Sequence, residues 1–220
     1  EVVLQRKNGS QRVIYSEESP RYVERPDAQT VTFVDMHRFI VREETTAGRM
    51  HLYLHTVFGG RLYTLTKGDW DVTSIVAADN KRVYYMSTEQ SPLRRDLYTV
   101  SIDGKGKRRL TTGDGFHTIM PSRGMKYYVQ TFSNASTPNI ITVHRADGQA
   151  IDTLADSRAA VAAHGEWAQR KFEKFVTERG DTLDYYIQLP AGFDPAKRYP
   201  VLLTQYSGPG SQQVRDRWSL

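Results

Sequence analysis

A period of about 44 residues limits the folds open to this chain more than any other feature of its sequence. Leu52-Tyr53-Leu54, Leu97-Tyr98-Thr99 and Ile140-Ile141-Thr142 each open a similar unit. Each unit passes through a glycine turn, at Gly60, Gly104 or Gly148, spaced 44 residues apart, and closes on Leu65, Leu110 or Leu154. Tyr84-Tyr85 returns 43 residues later as Tyr127-Tyr128. Between these marks run short β-branched and aromatic stretches, "LYLHTV", "RLYTLT", "RVYYMS", "DLYTVSI", "KYYVQTF" and "NIITVHR", bounded by Gly, Asp, Asn and Pro. Such stretches are strands separated by turns. Four short strands per unit at a fixed period of this length describe β-propeller blades. An ordinary β-sandwich has no reason to hold such a period. Three blades cannot close a ring, so further blades are expected upstream, in keeping with a chain that opens in mid-strand at "EVVLQRKNG".

The repeat fades after Leu154. "ADSRAAVAAHGEWAQRKFEKF" is alanine-rich and suits a short helix or a linker. Two strands are then expected around Gly180-Asp181, followed by "LPAGFDPAKRYP" and the apolar run "VLLTQY". A continuous apolar run fits a strand buried on both faces. The expected architecture is mainly β: propeller over residues 1–168, then the first strands of an α/β domain over 169–220.

Charge does not single out a partner. The net charge is +5, but 30 basic and 25 acidic residues are mixed along the whole length. The dense cluster Lys105–Arg109 lies in a glycine-punctuated turn and reads as a solvated hairpin tip, so no nucleic-acid partner is expected. With no Cys, disulfides, thiol catalysis and thiolate metal sites are excluded. No apolar stretch approaches the eighteen or so residues of a membrane span.

The candidate sites are few. "YSGPGS" (206–211) lacks the spacing and lysine of a phosphate loop. No G-x-S-x-G elbow occurs in the chain, so Ser207 and Ser211 are poor nucleophiles. His51 and His55 are spaced i, i+4, but on a strand that spacing puts them about 13 Å apart. Structural or surface roles are expected for these, and for His37, His117, His144 and His164. Glu17-Glu18 and Glu43-Glu44 are read as solvated loop and strand-end pairs. Asn8-Gly9-Ser10 and Asn134-Ala135-Ser136 match the glycosylation acceptor pattern, which matters only in a eukaryotic secretory protein. In the tyrosine pairs, one ring should face inward and its neighbour outward.

Blade segments such as "LTKGDWDV" (65–72) and "STEQSPLRRDLYTVSIDGKGKRRLT" (87–111), followed by "YPVLLTQYSGPGSQQV", give the chain a marked likeness. From about Ser19 to its end it resembles the dipeptidyl peptidase IV family, within the prolyl oligopeptidase group of serine peptidases. Related acylaminoacyl-type peptidases usually carry a histidine where Tyr206 stands. The Tyr-Ser-Gly-Pro form points to the dipeptidyl peptidase branch, and the absence of Cys to its bacterial members.

The resemblance implies an eight-bladed propeller capping an α/β-hydrolase domain in the full protein. It also implies release of N-terminal dipeptides with proline or alanine in second position, through an acyl-enzyme. Tyr206 would match the family's tyrosine that donates to the oxyanion, a role that suits a phenol fixed at a strand end. The family's Ser, Asp and His follow the point corresponding to Leu220, so this stretch alone is expected to be inactive. The family's glutamate pair, which holds the substrate amino terminus, is not matched by Glu17-Glu18. Its substrate-contacting arginine cannot be assigned to Arg21 or Arg25. Peptide substrates, a homodimer, a periplasmic or extracellular location and no cofactor are implied. The rival readings are a tripeptidyl or acylaminoacyl peptidase of the same group, and a non-catalytic propeller that binds partners.

Overall fold

The computed structural model describes residues 1–18, 23, 30–165, 167–168, 170–206, 208 and 211–219. Arg21, Arg25, Gln169 and Ser207 lie outside the described residues. The chain opens with an antiparallel hairpin, β1 (Val2–Gln5) and β2 (Gln11–Tyr15). Three four-stranded antiparallel sheets follow, each a simple meander. The first contains β3 (Val31–Phe33), β4 (Arg38–Glu44), β5 (Met50–Thr56) and β6 (Arg61–Thr64). The second contains β7 (Val72–Ala78), β8 (Arg82–Ser87), β9 (Asp96–Ser101) and β10 (Arg108–Arg109). The third contains β11 (Phe116–Pro121), β12 (Tyr127–Asn134), β13 (Thr137–Arg145) and β14 (Ala150–Asp156). These are consecutive propeller blades, four strands per repeat as the period requires.

The repeated residues occupy equivalent places. The opening triplets lie on the third strand of each sheet, β5, β9 and β13. The turn glycines need one correction. Gly59 N–H donates to Thr56 O as Gly104 does to Ser101 O and Gly148 to Arg145 O. Gly59 (φ 109°), one residue before Gly60, is therefore the equivalent of Gly104 (81°) and Gly148 (92°), in a region open to glycine and strained for other residues. Leu65 N–H donates to Leu52 O at 2.9 Å and Leu110 N–H to Leu97 O at 2.8 Å, so the closing leucines tie the fourth strand to the third. The next residue adds a second tie: Leu52 N–H donates to Thr66 Oγ1 at 2.9 Å and Leu97 N–H to Thr111 Oγ1 at 3.2 Å.

The core is a series of seams between successive sheets. Ile40, Leu52, Leu54 and Leu65 of the first blade pack with Val72, Val83, Tyr85, Tyr98 and Val100 of the second. Met86, Leu97 and Leu110 pack with Met125 and Tyr128 at the second seam. Ile14 of the hairpin joins Phe39, Val41 and Val57. Of the tyrosine pairs, 127–128 divides as expected, with Tyr128 buried and Tyr127 exposed. Tyr85 is buried in the first seam while Tyr84 packs half-buried against the second, because both faces of a blade are covered. Tyr185 and Tyr186 are both half-buried.

After β14 comes a short helix, α1 (Arg158–Ala162), then the hairpin β15 (Arg170–Val176) and β16 (Thr182–Gln188) around Gly180-Asp181. The apolar run 201–206 departs from expectation. It is assigned to no strand, and Val201, Leu202 and Leu203 are 86–90% exposed. A central strand is made by its neighbours, and no sheet among the described residues includes this run.

Candidate functional site

Tyr206 closes the run 201–206 with its side chain largely exposed. Its ring lies directly over Gly208: a β-carbon built at 208 would stand 2.7 Å from the Tyr206 hydroxyl oxygen and 2.8 Å from Cζ. A side chain at 208 would oblige the Tyr206 ring to move. Beyond it the chain is held by short-range bonds. Ser211 N–H donates to Gly208 O at 3.2 Å, Gln212 Nε2 to Val214 O at 2.7 Å, and Arg215 Nε to Gln212 O at 2.5 Å. The segment thus presents a phenol at the end of an apolar run, with no serine–histidine pair beside it among the described residues.

The histidines have structural partners. His51 is buried, with Nδ1 3.1 Å from Thr66 Oγ1, Nε2 2.9 Å from Gly68 O and its ring edge-on to Trp70. His55 Nε2 lies 2.6 Å from Glu43 Oε1, and its ring stacks on Phe39. His144 meets Thr142 and Gly148 O. His117 is fully buried between the second and third blades, 3.6 Å from Asp96 Oδ1. Burial lowers the His117 pKa, and the Asp96 carboxylate opposes that shift. No cluster of three potential metal ligands occurs among the described residues.

Two sequence expectations need correction. Glu43 is not a solvated strand-end residue. It is buried, pairs with His55 and accepts from Arg61 Nη2 at 2.5 Å. It lies on β4 opposite His51 in register, and the guanidinium that neutralises it comes from β6, so no local pattern announced it. The basic turn Lys105–Arg109 is only partly solvated. Lys107 Nζ pairs with Glu89 at 2.5 Å and sits over Trp70, and Arg109 clasps the buried Asp96 at 2.7 Å. Thr111 Oγ1 also donates to Asp96.

Asparagine acceptors are engaged locally: Asn8 Oδ1 accepts from Ser10 N–H, and Asn134 Nδ2 donates to Asp114 O at 2.9 Å. Glu18 is exposed, and Glu17 meets the Tyr15 hydroxyl at 3.5 Å. An open cleft of about 560 Å³ lies between the third blade and α1, lined by residues including Pro138, Arg158, Trp167 and Trp218. Tyr206 is not among its lining residues. No helix among the described residues is long and apolar enough to cross a membrane.

Sequence reasoning missed one group of residues altogether. Residues 215–219 return to the blades, where Asp216 accepts from Arg94 Nε at 3.2 Å and from Ala135 N–H at 2.9 Å. Its partners stand 122 and 81 residues away, beyond the reach of any motif.

Known proteins share this fold. Residues 1–139 match the model of the dipeptidyl peptidase IV N-terminal region. A probable dipeptidyl peptidase 4 of Emericella nidulans is 34% identical over 200 residues, covering 87% of this chain and 25% of the relative. A dipeptidyl peptidase 4 of Trichophyton rubrum is 31% identical over 193 residues, covering 84% of this chain and 25% of the relative. Among solved structures, Porphyromonas gingivalis dipeptidyl peptidase 4 superposes with a TM-score of 0.79 at 34% identity, over 87% of this chain and 28% of that one. The chain therefore spans about a quarter of the length of the curated relatives it matches. With its blades, their repeat and the family match all in agreement, this chain belongs to the dipeptidyl peptidase IV family.

Proposed function

We propose that the chain is part of a serine exopeptidase that releases N-terminal dipeptides with proline or alanine in second position. The observation that carries this reading is the pairing, in one chain of this family, of propeller blades with an exposed Tyr206 seated over Gly208. The blades form one wall of a chamber for peptide substrates, and a hydrolase domain beginning near residue 169 supplies the chemistry. A serine attacks the peptide carbonyl, with histidine accepting its proton and an aspartate holding that histidine in place. Negative charge then builds on the carbonyl oxygen. The Tyr206 hydroxyl donates a hydrogen bond to that oxygen, strengthening as the charge develops. The intermediate collapses with cleavage of the C–N bond, the histidine giving its proton to the leaving amine. Water then attacks the acyl-enzyme, the histidine again taking a proton and returning it to the serine as the dipeptide leaves. These three residues belong to the remainder of the enzyme, beyond Leu220. No cofactor takes part, and a homodimer in the periplasm or outside the cell is the expected form.

The test uses the full-length protein and a chromogenic amide of Gly-Pro. Hydrolysis blocked by a serine-directed reagent is expected. Tyr206→Phe should lower kcat by about 10²–10³-fold, the usual loss for one oxyanion donor, with the melting temperature unchanged. No turnover of the Gly-Pro amide, with turnover of a tripeptidyl or acylaminoacyl amide instead, would assign another peptidase of the group. No turnover of any of them would leave a binding propeller. Near-normal activity in Tyr206→Phe would remove the phenol from the chemistry.

A further inference from the structure

We propose that Asp216 is a positioning residue: it latches the segment bearing Tyr206 onto the propeller and so fixes where the phenol stands. This rests on the reading of Tyr206 above.

The latch is built from both sides. Asp216 has its side chain 14% exposed and uses both carboxylate oxygens, one on Arg94 Nε and one on Ala135 N–H. Its own N–H donates to Leu93 O at 2.9 Å. Leu93 and Arg94 precede β9 of the second blade, and Ala135 is in the turn between β12 and β13 of the third. One residue therefore spans the seam between two blades. Flanking contacts repeat the attachment: Trp218 N–H donates to Ser133 Oγ at 3.3 Å, and Arg170 of β15 donates to Arg217 O at 3.3 Å and to Ser219.

Charge makes Asp216 the residue on which the rest depends. Arg95, Arg215 and Arg217 surround the Phe116 ring, their guanidinium carbons 5.6, 5.8 and 5.6 Å from its centre. Burial, and then the neighbouring Arg215, push the Arg95 pKa down to about 10. Arg94 stands next to this group, so four cations converge on one small region. The carboxylates facing them are Asp216, the far more exposed Asp114, which is 2.8 Å from Arg94 Nη1, and Asp71, whose charge acts on Arg95. Asp216 is the least exposed carboxylate paired with Arg94, so its loss weakens the compensation of this cluster although Asp114 and Asp71 remain.

The path from latch to phenol is short. Tyr206 rests on Gly208, Gly208 O accepts from Ser211 N–H, and Arg215 Nε reaches back to Gln212 O. Asp216 lies ten positions after Tyr206, and the run before the phenol, 201–205, is exposed. A donor displaced by about 1 Å from a developing oxyanion loses up to about 10²-fold in rate.

The experiment compares Asp216→Ala, Tyr206→Phe and the double variant in the full-length enzyme, with hydrogen exchange of the Ala135 amide followed in parallel. Asp216→Ala is expected to lower kcat by about 10- to 10²-fold, with KM changed by less than about 2-fold and a cooperative melt retained. The double variant should be no slower than Tyr206→Phe, because a latch that acts through the phenol has nothing left to position. The Ala135 amide, bonded to Asp216 in the native enzyme, should exchange faster in Asp216→Ala. Should that variant not fold, Arg94→Ala keeps the Ala135 bond and removes the guanidinium partner of Asp216, together with the exposed Asp114 pair, which Asp114→Ala removes alone as a control. The same non-additivity with Tyr206→Phe is expected for Arg94→Ala and not for Asp114→Ala.

Normal kcat in Asp216→Ala, losses that multiply in the double variant, or unchanged Ala135 exchange would each overturn the latch. Near-normal activity in Tyr206→Phe would instead overturn the assignment of the phenol. The two failures are thus distinguishable.

Discussion

The blade seams and the C-terminal stretch have similar apolar content but opposite fates. Leu52, Leu54 and Leu97 are fully buried between neighbouring sheets, whereas Val201, Leu202 and Leu203 lie 86–90% open to solvent. The difference teaches that apolarity places a residue in a core only when a second surface is present to meet it. Each blade carries its own partner strands, because a meander bonds every strand to the one before it in sequence. The run 201–206 reads as a buried central strand, and such a strand needs neighbours on both edges and layers on both faces. The same rule operates within the repeat. Leu65 and Leu110 are 3% and 5% exposed where a following blade covers them, while Leu154 at the equivalent place is 58% exposed.

The largest difference is expected between two matched truncations. Leu97→Ala should destabilise the 220-residue chain by about 2–5 kcal/mol, since it removes a side chain from a filled seam. Leu203→Ala should change stability by less than about 0.5 kcal/mol. Urea unfolding followed by circular dichroism measures both, and equal losses would show that the run 201–206 is packed in solution.

A smaller effect separates two of the turn glycines. Gly60 and Gly104 share a left-handed φ, so alanine costs about 1–2 kcal/mol at either from backbone strain alone. A β-carbon at 104 would also lie 2.7 Å from Thr64 O of the preceding blade, while one at 60 meets nothing within 4 Å. Gly104→Ala should therefore cost at least about 1 kcal/mol more than Gly60→Ala. Equal costs would mean that the seam yields.

The smallest expected effect is a dependence on pH at the second seam. Burial holds the His117 pKa below its ordinary 6.5, so the unfolded chain binds this proton more readily than the folded one. The contribution of neutral His117 is fully present above pH 6.5 and is lost as pH falls through the lowered folded value. His117→Gln should flatten the stability profile in that acidic window, with little change at pH 8. An unchanged slope would place the acid-sensitive group elsewhere.

Much of the fold was legible because its determinants are local. The 44-residue period, the turn glycines and the third-strand triplets sit inside single blades, where hydrogen-bonded strands are also sequence neighbours. The Thr66 and Thr111 ties were equally present in the text, one residue after each closing leucine, and were passed over because threonine is ordinary in strands. The likeness to the dipeptidyl peptidase IV family was legible in the blade segments and in "YPVLLTQYSGPGSQQV", and the comparisons with known proteins bear it out. Tyr206 was singled out through that likeness.

The sequence by itself determined the blade, its four strands and its turn positions, since each follows from side-chain alternation and φ requirements within about 44 residues. Only the tertiary structure decided which polar residues are buried and which distant segments meet. Glu43 became the buried partner of His55 and Arg61, and Asp216 found Arg94 and Ala135 across 122 and 81 residues. A charge carries no mark of its partner along the chain. Its role is set by whichever surface the fold brings against it, and that is a property of packing rather than of pattern.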